Sequence, residues 1–220
     1  MTDEQLRSII DRVNDGNRDC AFLRPLLGNV DYGIVWLTNP DGSAWPPRRY
    51  SCFMIRDEGG RYVGAVLEMD GEHDLHSFVE QEHRRQGIMT RTLCEVVLPY
   101  LKCQGMEELT VTLHSVEGIR LAEKLGFTLD ETLHTATLDL STAADVEFPA
   151  QQPAPLSDAR LEQMRKQVRK AAQRLLRIAD ELEVAHAGSD FLSPEIRGLA
   201  DEVSDLDSKL KDERDGLIDE

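Results

Sequence analysis

The chain has 220 residues and a formal net charge of −16, from 25 basic and 41 acidic side chains. A surface this acidic repels phosphates, so the composition argues against a nucleic-acid partner held by general charge neutralisation. It fits a basic or amine-bearing partner better. The length allows one ordinary domain plus an extension of ~60 to 70 residues.

The four cysteines are scattered, without a CxxC pair or a His spacing that would build a zinc site; they are Cys20, Cys52, Cys94 and Cys103. We therefore expect free thiols in a reducing compartment and no metal. The chain is charged from Asp3 onward, so its start lacks the apolar core of a signal peptide, and no apolar run reaches membrane-spanning length. These features predict a soluble cytoplasmic protein that does not bind a membrane.

Residues 1–49 are predicted to form a helical or irregular segment that packs on the core. Apolar residues at helical spacing predict an amphipathic helix over residues 4–14. Residues 20–27 could form a second helix. A strand-like YGIVWLTN and a loop, NPDGSAWPPRR, follow, and prolines and a DG pair mark that loop.

Regular strand patterns begin at Tyr50. The segments YSCFMIRD and YVGAVLEM, separated by a turn with two glycines, predict an antiparallel hairpin. A third strand is expected at Asp74–Val79, followed by a glycine-containing loop and a helix over residues 87–102. Pro99 should kink that helix or weaken one turn.

Alternation resumes after this helix. Leu109, Val111 and Leu113 alternate with polar residues, which predicts a strand with one buried face. A short helix to residue 125 follows, with Gly126 in the position of a C-terminal cap. Residues 127–133 and 135–140 complete the set as two final strands.

Residues 141–157 are rich in Ala, Pro and Gln and show no periodicity, so they are predicted to be a linker. Residues 158–220 then carry apolar residues in three-four alternation, typical of a coiled coil, from Leu161 through Ala171, Leu175 and Ile178 to Ala185, and again from residue 196. Residues 160–177 hold seven basic side chains and one acid, whereas residues 180–220 hold fourteen acids and four basic side chains. This distribution favours an antiparallel helical hairpin, which we expect to dimerise, to pack on the core or to bind another protein.

The segment EHRRQGIMTRTL joins a strand to a helix and has the features of an anion site. The first turn of a helix presents unpaired N–H groups and about half a positive charge. Arg84 and Arg85 are unfavourable there unless an anion binds, and Gly87 lets the backbone approach a ligand closely. The alternative is a loop glycine with two solvated arginines.

The run RRQGIM, residues 84–89, resembles the GNAT acetyltransferase motif Q/R-x-x-G-x-G/A, with Met89 in the place of the last small residue. LAEKLGF, residues 121–127, resembles the second signature of that family. The order of elements across residues 50–140 is also similar to the family fold. The resemblance implies an α+β fold, with a mixed, mostly antiparallel twisted sheet flanked by helices.

The resemblance also implies an acyl-coenzyme A site, with acetyl-CoA as the cofactor. The pyrophosphate would lie on the amides of residues 86–90, and the pantetheine along a splayed strand edge. The coenzyme residues that the resemblance implies are Phe78, Val79, Arg84, Arg85, Gln86, Gly87, Ile88, Met89 and Thr90.

Direct transfer to an amine needs a base for the ammonium proton and a donor for the departing thiolate. We expect His73 to be the base, because relatives often place a base near the start of the strand that corresponds to Asp74–Val79, and because imidazole titrates near neutrality. The alternative is that His73 lies in a solvated turn. The tyrosine that donates the proton in many relatives is replaced by Ala122. Ser115 could bond the coenzyme sulfur or donate to it, and its hydroxyl also suits a helix N-cap.

Two functions remain open from the sequence. The first is an N-acetyltransferase that moves an acetyl group from acetyl-CoA to a primary amine of a protein, peptide or cationic small molecule. The second is a GNAT-like coenzyme-binding or assembly module with weak catalysis, which acts through its coiled coil. Ala122 and the long hairpin motivate the second function.

Overall fold

A computed structural model describes residues 2–17, 20–37, 48–69, 74–130, 132–149, 156–185 and 192–214. The chain divides into two compact units, Met1–Ala150 and Gln151–Glu220. This division falls inside the predicted linker.

The first unit begins with helix α1, Asp3–Asn14, as the spacing of apolar residues predicts. A capping box starts the helix: the Thr2 hydroxyl accepts a hydrogen bond from the Gln5 amide at 3.3 Å, and the Gln5 side chain accepts one from the Thr2 amide at 3.0 Å. The buried face of α1 carries Leu6, Ile9 and Ile10.

Strand β1, Ala21–Leu27, pairs antiparallel with β2, Val30–Leu37. The expectation of a second helix at residues 20–27 is therefore wrong. Pro25 would remove one hydrogen bond from a helix interior, whereas pairing with β2 supplies backbone partners along the rest of the segment.

The strands β3, Arg48–Arg56, β4, Tyr62–Met69, and β5, Asp74–Val79, extend this sheet, and the predicted hairpin at β3 and β4 is confirmed. Each neighbouring pair is antiparallel, and the strand order is β1-β2-β3-β4-β5.

A second sheet of three antiparallel strands follows later in the chain, with the order β6-β8-β7. Its strands are β6, Glu108–Thr112, β7, Thr128–Asp130, and β8, Thr135–Asp139. With the flanking helices, the two sheets confirm the predicted α+β class.

One helical segment connects the two sheets. It consists of α2, Ile88–Thr92, a wider π-helical turn at Leu93–Val97, and α3, Leu98–Cys103. Pro99 is the second residue after the wider turn. Because proline has no N–H and its ring crowds the carbonyl four residues earlier, a local departure from α geometry is expected here. The predicted weakening of one turn is confirmed.

Hydrophobic clusters lie on both faces of the five-stranded sheet. Leu6 and Ile10 of α1 pack with Cys52, Met54 and other buried residues on one face. On the other face, Phe53 and Val66 pack with the segment from Leu93 to Leu101. Helix α4, Val116–Leu125, precedes β7. The five-stranded sheet is thus covered on both sides.

The second unit is a pair of packed helices, α5, Asp158–Ala185, and α6, Leu192–Arg214. The expected seam places Ala171 and Ile178 between the helices, and this is wrong by one residue. Ala172 and Ala179 are buried instead, and Ile178 is 48% exposed. Small side chains at the contact let two helix backbones approach closely, which explains why alanines occupy it.

Ion pairs join the two helices in the expected antiparallel sense. Arg165 near the start of α5 donates to Asp207 near the end of α6, with Nε 2.9 Å from Oδ1. None of the helices in the described residues is long and apolar enough to cross a membrane.

Candidate active site

The two sheets meet edge to edge at β5 and β6. The Asp74 carboxylate, at the start of β5, accepts a hydrogen bond from the Thr112 amide, at the end of β6, at 3.0 Å. In the part of the chain that the structure describes, no backbone ladder pairs these two strands. Since each strand is the last of its sheet, backbone groups along this boundary are available to an extended ligand that carries amides.

The predicted phosphate loop follows β5 directly. A single 3-10 turn, Gln81–His83, leads to Arg85 with φ +63° and Gly87 with φ +75°, and α2 starts immediately afterwards. The Arg91 amide is the first to bond back into the helix, to the Gly87 carbonyl at 3.0 Å. The amides from Gly87 to Thr90 therefore form the open start of the helix, the arrangement that binds phosphate groups.

The two arginines of the loop differ in their surroundings. Arg84 folds back on β5: its Nε donates to the Val79 carbonyl at 2.9 Å, and its Cζ lies 5.8 Å from the Phe78 ring centre. Arg85 is exposed, and no ion pair within the described residues engages it. A non-glycine residue in left-handed geometry costs about 1–2 kcal/mol, which makes Arg85 a strained position. Arg85 is the better of the two for an incoming anion.

The other residues implied for the coenzyme lie around this loop. Phe78 and Val79 are buried, with 2% and 9% exposure, so they can offer backbone groups more readily than side chains. Gln86 is exposed, and its side chain donates to the Glu82 carbonyl at 3.1 Å. Ile88, Met89 and Thr90 are half-buried at the start of α2.

The residue predicted as the base, His73, lies outside the described residues. The structure describes a second histidine near the start of the same strand, His76, which the sequence prediction did not choose as the base. His76 Nε2 on β5 lies 3.3 Å from Asp3 Oδ1 on α1, and the His76 side chain is 27% exposed. Periodicity could have indicated the pair, because Asp3 shares the helix face of Leu6 and Ile10, and His76 shares the strand face of Phe78.

Asp3 also contacts the loop. Its Oδ2 lies 3.8 Å from a terminal nitrogen of Arg84. The first turn of α1 thus has one carboxylate near both the imidazole of β5 and the first arginine of the loop. The N-terminal helix therefore contributes a carboxylate to the candidate site.

Ser115 is the N-cap of α4, since its hydroxyl oxygen accepts a hydrogen bond from the Gly118 amide at 3.0 Å. A hydroxyl that accepts in this way still has its proton to donate. Ala122 is buried within α4 at 4% exposure, and its methyl group offers no proton. No cluster of three or more metal-ligating side chains occurs in the described part of the chain.

The middle of the chain matches a known family. Residues 29–127 match the model described as the acetyltransferase (GNAT) family. These residues form a GNAT acetyltransferase domain. The phosphate loop and the boundary between β5 and β6 both lie within the GNAT domain, and α1 precedes the matched residues.

No curated protein sequence matches the chain. An acetyltransferase from Agrobacterium tumefaciens str. C58 is similar in structure at 17% identity, over 40% of this chain and 58% of its own, with a TM-score of 0.35. The chain therefore spans little more than half the length of that protein. A chimera of the Vibrio cholerae spermidine N-acetyltransferase SpeG and hSSAT is 17% identical over 42% of this chain and 68% of its own, with a TM-score of 0.34. A mutant AtaT toxin, bound to the C-terminus of the antitoxin AtaR and acetyl-CoA, is 12% identical over 42% and 69%, with a TM-score of 0.31.

Proposed function

We propose that the protein is an N-acetyltransferase that moves an acetyl group from acetyl-CoA to a primary amine. The open amides from Gly87 to Thr90 at the start of α2, inside a GNAT domain, are the observation that carries this proposal. They suit the pyrophosphate of a coenzyme. The edge of β5 beside β6 has backbone groups that suit the pantetheine of the coenzyme, which carries amides.

The charge of the domain supports a cationic acceptor. Residues 50–140 hold 8 Lys or Arg against 16 Asp or Glu. An acidic surface raises the local concentration of cations and repels nucleic acids. An ammonium group on a protein, a peptide or a small molecule is the acceptor that this charge favours.

When bound, acetyl-CoA supplies the acetyl group as a thioester. The C–S bond breaks as the amine nitrogen forms the C–N bond, so the chain must take a proton from the ammonium and return one to the thiolate. His73 remains our predicted base, and His76, held by the Asp3 carboxylate, is the described alternative. Ser115 remains the predicted partner of the thiol, since its cap role leaves its proton available.

Calorimetry with CoA and acetyl-CoA, followed by mass spectrometry of acetylated products in a cell extract, tests the function. We expect binding of both compounds and acetylation of an amine. If neither compound binds at millimolar concentration, the proposal is wrong.

The base is tested by comparing His73→Gln with His76→Gln. Loss of the base should lower kcat by about 10²-fold or more and leave the acetyl-CoA dissociation constant unchanged. His134→Asn is the matched control, because asparagine tolerates the positive φ of 54° at this exposed turn position. If both histidine variants keep the wild-type kcat, neither imidazole is the base.

The buried methyl of Ala122, where many relatives have a tyrosine, favours a second candidate function. This is a coenzyme-binding or assembly module with weak catalysis. Coenzyme binding without acetyl transfer across a broad panel of amines would support it over the enzyme.

A further inference from the structure

Along the middle of the α5–α6 hairpin, small side chains are buried and several large apolar side chains are exposed. Ala172 and Ala179 of α5 and Ser193 and Ala200 of α6 are at most 5% exposed. The Ser193 hydroxyl donates to the Ala179 carbonyl at 2.9 Å. By contrast, Ile178, Leu192, Leu199 and Leu206 are 47 to 55% exposed. If the two helices packed only on each other, we would expect these large apolar side chains to lie between them and not on the surface.

The charged bridges of the hairpin lie along one side of it. Arg165 and Arg169 bond Asp207, and Arg197 bonds Asp180 and Glu183. At about 100° per residue, Arg169 and Asp180 lie on the same flank of α5, and Arg197 lies on the matching flank of α6. We refer to this side as the charged face.

Most of the exposed large apolar residues lie on the other side. On α5 the same geometry places Met164, Ile178 and Leu182 on the flank opposite Arg169, and on α6 it places Leu192, Leu199 and Leu206 opposite Arg197. Because the helices are antiparallel, the two apolar flanks face the same way. We refer to these six residues as the apolar face.

We propose that the apolar face binds the apolar face of a second copy of this chain, which forms a four-helix bundle. The partner is inferred from the charges that border the face. Arg174 adjoins it on α5, whereas Glu195 and Glu202 adjoin it on α6, and all three are exposed. No ion pair within the described residues engages any of them.

The contacts between the helices show how these charges would meet. The bonds from Arg165 to Asp207 and from Ser193 to Ala179 place residue 174 level with residue 198, midway between Glu195 and Glu202. A two-fold axis parallel to the helices keeps these levels and stacks α5 of one copy on α6 of the other. Arg174 then lies near Glu195 and Glu202 of the second copy. The bundle thus pairs opposite charges on both edges.

The size of the hairpin is sufficient for a stable contact. With 28 and 23 residues, two helices side by side cover roughly 35 Å by 20 Å, or about 700 Å² in each chain, close to the ~800 Å² per partner of a standard interface. Dimerisation does not depend on the proposed acetyltransferase function, so either proposal can fail without the other.

Sedimentation of the full chain tests the interface. The wild type should be a dimer at about 10 μM, and the double variant Leu199→Asp, Leu206→Asp should be a monomer with the same far-UV circular dichroism. Leu176→Asp is the matched control, because Leu176 is 39% exposed and lies on the charged face, and it should remain dimeric. A monomeric wild type at about 100 μM, or a dimer that survives the double variant, would overturn the proposal.

Charge reversal tests the stacking even if the leucine variants unfold. Arg174→Glu alone, and Glu195→Arg with Glu202→Arg, should each weaken the dimer about tenfold or more. All three changes in one chain should recover most of the affinity, because opposite charges then meet again. If the dimer of the combined variant is no tighter than the dimers of the two partial variants, α5 does not stack on α6 of the second copy.

Discussion

Asp74 and Thr112 join the two sheets of the first unit between β5 and β6, which no backbone ladder pairs in the described residues. The Asp74 carboxylate accepts from the Thr112 amide at 3.0 Å and from the Leu75 amide at 2.8 Å. Beyond this contact, β5 continues to the phosphate loop, and the chain after β6 continues to Ser115. The Asp74 carboxylate therefore connects the two sheets at one end of the boundary between β5 and β6, along which we propose that the coenzyme binds.

Replacing Asp74 with alanine should loosen this end of the boundary. The Thr112 amide loses its acceptor, and a hydrogen bond to a charged group contributes about 1.5–3 kcal/mol. We expect a loss of stability of that order in urea unfolding, faster hydrogen exchange at the Thr112 amide and weaker binding of CoA. Asp74→Asn is the matched control, since it keeps an acceptor oxygen. Unchanged exchange at Thr112 in the alanine variant would show that this bond does not hold the strands together.

Gly87 should be required for coenzyme binding because of its backbone conformation. A Cβ added at Gly87 would meet nothing within 4 Å. The φ of +75° at this position, however, would strain any residue other than glycine by about 1–2 kcal/mol. Gly87→Ala should therefore displace the loop amides and weaken CoA binding about tenfold or more by calorimetry.

The control for Gly87 lies at the far end of the same helical segment. Gly105 follows α3, has φ +87°, and its added Cβ also meets nothing within 4 Å. Gly105→Ala should cost similar stability and leave the affinity for CoA unchanged. Equal losses of affinity in both variants would mean that the effect is global and not specific to the loop.

Local patterns predicted much of the GNAT domain. Alternation located β3 to β6 within one or two residues, and RRQGIM located the loop whose amides are open in the structure. The failure at residues 20–27 has a physical reason, since the strand exists through pairing with β2 and not through its own spacing. Elements whose own sequence determines them were predictable.

Features that depend on a neighbour were not predictable. The seam of α5 is shifted to Ala172 and Ala179 because α6 packs closely there, and three-four spacing alone cannot choose between adjacent faces. Periodicity indicates the faces on which His76 and Asp3 lie, but the two meet only because α1 packs on the sheet, across more than seventy residues of sequence. The lack of backbone pairing between β5 and β6 in the described residues likewise has no local sequence signal.

The cysteines should divide into two classes in the native protein. Cys94 and Cys103 are exposed, whereas Cys20 and Cys52 are buried, and burial raises the pKa of the Cys52 thiol. Because the thiolate is the reactive form, Ellman's reagent should react quickly with two thiols in the native state and with four in denaturant. Cys94→Ser with Cys103→Ser should leave no fast-reacting thiol. Rapid reaction of that double variant would contradict the burial of the other two.

The ion pairs of the hairpin predict how its stability changes with pH. Hydrogen bonds from Arg165 and then from Arg169 lower the pKa of the Asp207 carboxyl below its usual range. A group whose folded pKa is depressed adds stability above its unfolded pKa of about 3.9 and loses it as the pH falls through the folded value. Asp207→Asn should therefore cost about 1 kcal/mol at pH 7, and its difference from the wild type should vanish in strong acid. Urea unfolding followed by circular dichroism measures the free energy of unfolding of both proteins. Asp205→Asn is the control, because Asp205 is exposed. If the difference between Asp207→Asn and the wild type persists at pH 2, Asp207 acts through packing and not through its charge.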